Sequence, residues 1–405
     1  MLPHALRVRD FRYLWAGRSA TRLGTSMLVV AIPAHVYAVT GSVLATGVTL
    51  AFEFLPSLLL GPVTGVLADR WDRRRLMIAA DLLHSAAVSV VLLAGTPETI
   101  WLVYAAALGQ GTAATLFHPA AQAHIPVMVG TGPTLTSANA INATTTGVLG
   151  LAGPALGGLL FATAGVEAVV AVAAAAGLLS AAAISRTARH PRTPESRERL
   201  ATVRRELGQG LRLVLRGPAT RALLATNAVY LLANAALTAL LIPFGVATFG
   251  GTTGVGYLLS ALGLGFVVGA PVSRRLVDRF APRPTIATAQ ALVGGAFLLM
   301  FNATSLPVAM TAAFLLGLPG VTVLVAVLTH VQRAAPGEYL GRVTAAFLTV
   351  EAAANLIGAL AGPALSELAG LPVALNAACA VTFLSALVTL ILVGTVRSAE
   401  SPNGR

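Results

Sequence analysis

The chain has 405 residues, of which 56% are hydrophobic and only 10% charged, and its mean hydropathy is +0.81. Soluble domains carry about 25% charged residues, so a water-soluble globular protein is excluded. The formal charge of +12 comes from 27 basic residues, all of them arginine, and their dispersal between apolar blocks excludes a nucleic-acid-binding face.

Apolar blocks near the roughly 20 residues that cross a hydrocarbon layer of about 30 Å must be helices, because lipid satisfies no backbone polar group. Breaks at Gly, Pro and charge clusters predict spans at 18–40, 43–67, 76–95, 99–122, 138–162 and 166–185. A second set follows at 219–249, 252–274, 284–303, 305–329, 342–367 and 371–395. The fold class is therefore an all-α membrane protein of twelve transmembrane helices. The basic stretch from Arg7 to Arg22 has the look of a secretory signal, but eleven further apolar segments make it an uncleaved first span. Cys379, the only cysteine, can form no internal disulfide and no cysteine metal site.

If both termini are cytoplasmic, every arginine falls on the cytoplasmic side, while the external connections carry Glu98, Glu167 and Glu367. That asymmetry orients a multi-pass protein in a cytoplasmic membrane. The 4/5 connection, His124 to Ser137, is expected to be an arginine-free loop. Between the halves, Leu200, Val203, Leu207, Leu211, Val214 and Leu215 recur at helical spacing among arginines. This predicts an amphipathic helix on the anionic inner leaflet, with a disordered charged linker as the alternative for Arg192 to Arg199.

The halves repeat at an offset of 209 residues. Asp69-Arg70 returns as Asp278-Arg279, and Gly153-Pro154-Ala155-Leu156 returns as Gly362-Pro363-Ala364-Leu365. Three parts follow: an amino-terminal six-helix bundle at 1–189, a cytoplasmic linker at 190–217 and a carboxy-terminal six-helix bundle at 218–405. Parallel repeats of this kind form transporters with a substrate site near midplane between them.

The 2/3 loop reads Gly65-Val66-Leu67-Ala68-Asp69-Arg70-Trp71-Asp72-Arg73-Arg74-Arg75. It resembles the loop motif of the major facilitator superfamily, with Gly65, Asp69, Arg70, Arg73 and Arg74 at motif positions and Asp72 where that pattern prefers glycine. The resemblance implies a charged gate that pairs with facing helix ends, with Asp278 and Arg279 as a degenerate copy in the 8/9 loop. Gly153, Pro154, Gly157 and Gly158 resemble the antiporter motif of the same superfamily, and Gly358, Gly362 and Pro363 echo it in helix 11, implying a role where the halves meet. Generic small-residue packing is the alternative. The whole pattern is similar to the exporter branch that includes enterobactin and macrolide efflux proteins.

Ionisable residues inside spans are costly and mark function. Glu53 and Glu351 both fall near midplane and are candidates to carry a coupling proton, since a buried carboxyl exchanges its proton closer to neutral pH than an exposed one. A structural, hydrogen-bonded acid is the alternative for each. Asp81 is a further candidate, with an ion pair to Arg18, Arg22 or a loop arginine as the preferred reading. His35, Gln110, Asn139, Asn142, Asn227, Asn234, Gln290 and Asn355 are candidates to line a substrate cavity, and no set of ligands suggests a metal.

With no lysine there is no Gly-Lys-Ser/Thr phosphate loop and no Schiff-base lysine. No catalytic set stands out, so an enzyme is not expected, and a membrane enzyme, a channel or a sensor are the rival classes. The expectation is a proton-coupled secondary transporter that exports a moderately apolar compound such as a drug, antibiotic or siderophore. Import through the same fold stays open. The implied partners are the substrate, protons and membrane lipids, with no nucleic acid, no cofactor and a monomeric state.

Overall fold

A computed structural model describes residues 4–130, 132–188, 200–249, 251–334 and 340–393, with side chains outside the description at 62–63, 65–70, 151, 200–207, 252, 332 and 340–342. Among the described residues the secondary structure is helical throughout, without strands. The long helices are α1 (Arg9–Thr40), α2 (Val43–Arg70), α3 (Arg73–Val90), α4 (Trp101–Val129), α5 (Pro133–Ser185) and α6 (Leu200–Arg216). They continue as α7 (Pro218–Phe249), α8 (Thr252–Arg279), α9 (Pro282–Phe301), α10 (Leu306–Ala334), α11 (Leu340–Ala369) and α12 (Leu371–Leu392).

Eleven of these have the length and hydropathy to cross a membrane. One of them, α5, is a 53-residue helix that would run roughly 80 Å at helical rise, far beyond one crossing. It is broken at Gly165, where φ is 78° and ψ is 179°, a conformation reserved for glycine. That break falls between the expected spans 138–162 and 166–185, so α5 is two spans in one continuous trace. Lipid-facing side chains stay apolar and exposed, as Leu368, Ile391 and Leu179 do at 86%, 68% and 64%.

Two expectations need correction. Residues 124–137 are not one loop: α4 runs to Val129 and α5 begins at Pro133, with His124 and Ile125 buried in the bundle. Helix α1 begins at Arg9, half a span before the expected start, because Phe11 and Leu14 bury against Leu76, Met77 and Ile184. The amphipathic helix expected between the halves is α6, whose Val214 is fully buried while Leu211 and Leu215 stay exposed. It packs on α11, α7 and α2. The stretch from Arg192 to Arg199 lies outside the described residues.

Small residues set the helix spacing. Gly24 meets the Ala173 backbone and Gly17 meets Ser180, bringing α1 against the second limb of α5. Gly153 and Gly157 bring its first limb onto Ser26 and Met27 of α1, and Gly358 and Gly362 bring α11 onto Leu232 and Ala236 of α7. These motif glycines therefore pack helices within one half, against the expectation that they join the halves. The prolines beside them do the joining. Gly47 of α2 packs on Pro363 of α11, and Gly256 of α8 packs on the backbone of Pro154 and Ala155.

Both seams lie toward the end of the bundle that carries Glu98, Glu167 and Glu367, here called the glutamate face. Val30 and Ala34 of α1 pack there with Ile242 and Val255. At the rim, Glu367 accepts from Ser42 Oγ at 2.9 Å and from the Leu44 amide at 3.3 Å, capping the start of α2 from α11. The opposite face bears the arginines.

Candidate functional site

A cavity of about 330 Å³ opens among α1 to α5, within the range of about 300–1,000 Å³ typical of small-molecule sites. Its polar wall includes Glu53 from α2, Asp81 and His84 from α3, Gln110 and His118 from α4, and Asn142 from α5. The α1 wall adds Arg18 and Arg22, and Ala80, Ala113 and Phe117 supply apolar surface. Helical periodicity explains the arrangement: Gln110, Ala113, Ala114, Phe117 and His118 occupy one face of α4, as Arg18, Thr21, Arg22 and Thr25 do on α1.

Glu53 reaches this wall because α2 and α4 approach closely at Gly111, where any Cβ would overlap the Glu53 carbonyl oxygen. Its carboxyl is exposed to the cavity and has no hydrogen-bond partner among the described residues. Ten residues separate it from the start of α2, a depth of roughly 15 Å from the glutamate face. Asp81 is held differently. It is only 2% exposed and accepts from Ser180 Oγ at 2.6 Å and from Thr21 Oγ1 at 3.4 Å.

The expected ion pair of Asp81 with Arg18 or Arg22 is absent among the described residues, where hydroxyls from α1 and α5 replace it. Next to it, His84 is buried and its Nε2 has no partner among the described residues. Trp15 Nε1 donates to Thr145 Oγ1 at 3.0 Å, fixing a cavity-lining hydroxyl on α5.

Several expected lining residues lie elsewhere. His35 Nε2 donates to the Ala94 carbonyl at 2.7 Å, tying α1 to the end of α3. Gln290 is fully buried and accepts from Thr389 Oγ1 at 2.7 Å, joining α9 to α12. Asn227 Nδ2 donates to Glu351 Oε1 at 2.8 Å, so these two candidates form one pair between α7 and α11. Asn139, Asn234 and Asn355 do not line this cavity. A polar side chain in a membrane helix has two outlets, water or a neighbouring helix, and in the second half the neighbour often wins.

In the loop motif, Gly65, Asp69 and Arg70 lie outside the described side chains. Arg73 Nη1 donates to the Ala123 carbonyl at 2.9 Å, Arg74 Nε to the Ile184 carbonyl at 3.2 Å and Arg74 Nη2 to the Ser185 carbonyl. The last two acceptors are carbonyls in the last turn of α5, and that of Ile184 also accepts from the Thr187 amide and hydroxyl. Asp72 accepts from the amides of Arg74 and Arg75 at 2.9 and 3.2 Å, capping α3 and explaining an acid where the family pattern prefers glycine. In the copy, Asp278 pairs with Arg333 of α10 at 2.8 Å, both exposed, and Arg279 is exposed. The described contacts of both motifs thus stay within their own halves.

Sequence reasoning missed Arg18 and Arg22, which it treated as topological anchors or as partners for Asp81. The signal was available: the two lie one helical turn apart, on the face that also bears Thr21 and Thr25.

The family described as "Transmembrane secretion effector" matches residues 3–403. Among characterised relatives, macrolide efflux protein A of Streptococcus pyogenes is 26% identical over 248 residues, and the match covers 60% of each chain. The multidrug efflux pump Tap of Mycolicibacterium fortuitum is 29% identical over 400 residues, covering 92% of this chain and 91% of Tap. Among solved structures, a bacterial homologue of the iron transporter ferroportin in an inward-facing state superposes with a TM-score of 0.75 at 14% identity, over 95% of this chain and 99% of that one.

Proposed function

From the premise that this chain belongs to the major facilitator superfamily of membrane transporters, we propose that it exports a moderately apolar small molecule across the cytoplasmic membrane in exchange for protons. The observation that carries this reading is Glu53. It is an acid near midplane that opens into a ligand-sized cavity without a side-chain partner. The efflux relatives at 26% and 29% identity support the direction of transport.

In this reading both termini are cytoplasmic, so the glutamate face is external and the described state is closed on the outside along the Gly47–Pro363 and Gly256–Pro154 seams. Residues 1–189 and 218–405 act as two bodies that rock about the cavity, with 190–217 as the linker. Substrate enters from the cytoplasm, the seams part, and a proton arriving from outside at Glu53 displaces the substrate and returns the carrier. Asp81, which accepts two hydroxyl hydrogen bonds, and Glu351, which accepts from Asn227, are fixed structural acids. The chain catalyses no bond chemistry, needs no cofactor and works as a monomer.

Everted membrane vesicles with an imposed pH gradient test the proposal. Addition of a transported drug should release protons from energised vesicles in the wild type and not in Glu53→Gln. Uptake that runs unchanged without a pH gradient would contradict it.

A further inference from the structure

Among the arginines whose side chains can be followed, Arg73 and Arg74 sit on helix-end carbonyls, Arg75 lies 3.9 Å from Asp72 and Arg333 lies 2.8 Å from Asp278, while others such as Arg12, Arg186, Arg221 and Arg274 are exposed outside the cavity. Arg18 and Arg22 are different. Both line the cavity, and neither donates a hydrogen bond or has a carboxylate within 4 Å among the described residues. Arg22 lies 18 residues from the end of α1 at Thr40, roughly 27 Å at helical rise, which puts it near the arginine-side edge of a hydrocarbon layer of about 30 Å. A guanidinium there can reach interfacial water, and the cavity offers it the same water or an anionic partner. A planar guanidinium is also the side chain best shaped to grip a carboxylate.

At the other end of the same cavity stands Glu53, roughly 15 Å from the glutamate face. Glu53 is thus separated along the helices by roughly 12 Å from Arg22 and roughly 18 Å from Arg18. The apolar side chains Ala80, Ala113 and Phe117 line the same cavity. Asp81 forms no ion pair with either arginine among the described residues, and its carboxylate accepts from Ser180 and Thr21 instead.

We propose that the exported compound is amphoteric: a cationic group occupies Glu53 while a carboxylate or similar anion is held by Arg18 and Arg22, with its apolar body along α4. The inference rests on the export reading and deepens it. A purely anionic ligand would attract a proton to Glu53 and favour moving with it. A ligand that brings its own cation competes with the proton for that carboxyl, which is the relation antiport requires.

Ciprofloxacin, which carries an amine and a carboxylate at opposite ends of an aromatic body, is a suitable probe alongside its methyl ester and its N-acetyl derivative. Binding of all three to the full chain in lipid nanodiscs should favour ciprofloxacin over either derivative by about tenfold or more, the loss expected when one charge-assisted contact is removed. Arg18→Gln and Arg22→Gln should each weaken ciprofloxacin without weakening the ester, and Glu53→Gln should weaken ciprofloxacin without weakening the N-acetyl form. Arg18→Lys, which keeps the charge, should retain part of the affinity and controls for misfolding. Equal affinities for the three probes, no binding of any of them, or arginine variants that affect all three alike would overturn the proposal. Proton release by a drug lacking one of the charges, together with equal probe affinities, would leave export standing and sink the amphoteric ligand. Zwitterion-selective binding without proton-linked transport would do the reverse.

Discussion

Gly47 lies against the ring of Pro363 so closely that a Cβ at position 47 would overlap it. The same offset of 209 residues that relates the two halves carries Gly47 to Gly256 and Pro154 to Pro363, and Gly256 faces the Pro154 carbonyl and the Ala155 backbone. The repeat has produced two matching glycine–proline seams, each made by one helix from either half.

The Cβ space at Gly47 is taken by the Ala359 carbonyl and the Pro363 ring, and that at Gly256 is tight against the Pro154 carbonyl, so Gly47→Ala must spread its seam and Gly256→Ala must loosen its seam by a few tenths of an ångström. Each should shift the carrier toward its outward-open state. Ala34 is 2% exposed in the adjoining contact, and Cys379, the only native thiol, is buried. A cysteine placed at Ala34 should therefore resist a membrane-impermeant maleimide in the parent and react several times faster in either glycine variant. Equal labelling would show that the seams do not hold the outside shut.

Glu367 contributes to the same closure by capping the first turn of α2. Glu367→Ala leaves those helix-end groups to water alone, and losses of this kind cost about 1 kcal/mol. Labelling at Ala34→Cys should rise, by less than in the glycine variants.

At the opposite face, Asp72 caps α3. Asp72→Ala should lower thermal stability by about 1 kcal/mol, whereas Asp72→Gly should cost only a few tenths, since glycine is tolerated at an N-cap. Thermal unfolding of the purified protein measures both, and equal losses would refute the capping role.

The pair Asn227–Glu351 predicts a separation of effects. Asn227→Ala should lower the unfolding temperature through loss of an interhelical hydrogen bond worth about 1 kcal/mol. Glu351→Gln should keep a partner for Asn227, and the pH dependence of transport with it. A Glu351→Gln carrier insensitive to pH would move the coupling site to the second half.

The spans were legible because lipid imposes length, apolarity and a charge asymmetry on each segment separately, and even the break between spans five and six announced itself at Gly165. The lining of the cavity was legible in part. Glu53, Gln110 and Asn142 stand out as polar residues in apolar helices, and Asp81 does so as well. His35 and Gln290 carry the same mark but spend it on Ala94 and Thr389. Which outlet a polar residue takes depends on helix rotation and on the neighbour it meets, and neither is written in one segment. Arg18 and Arg22 were hidden for the opposite reason, since arginines near a cytoplasmic end already have a sufficient explanation in topology.

The most direct test of the account is proton release on substrate addition in everted vesicles, compared between the parent chain and Glu53→Gln at matched expression. Coupled export through Glu53 predicts a substrate-dependent alkaline-ward recovery of the vesicle lumen in the parent and none in the variant, with Glu351→Gln and the parent alike. An undiminished signal from Glu53→Gln would contradict it.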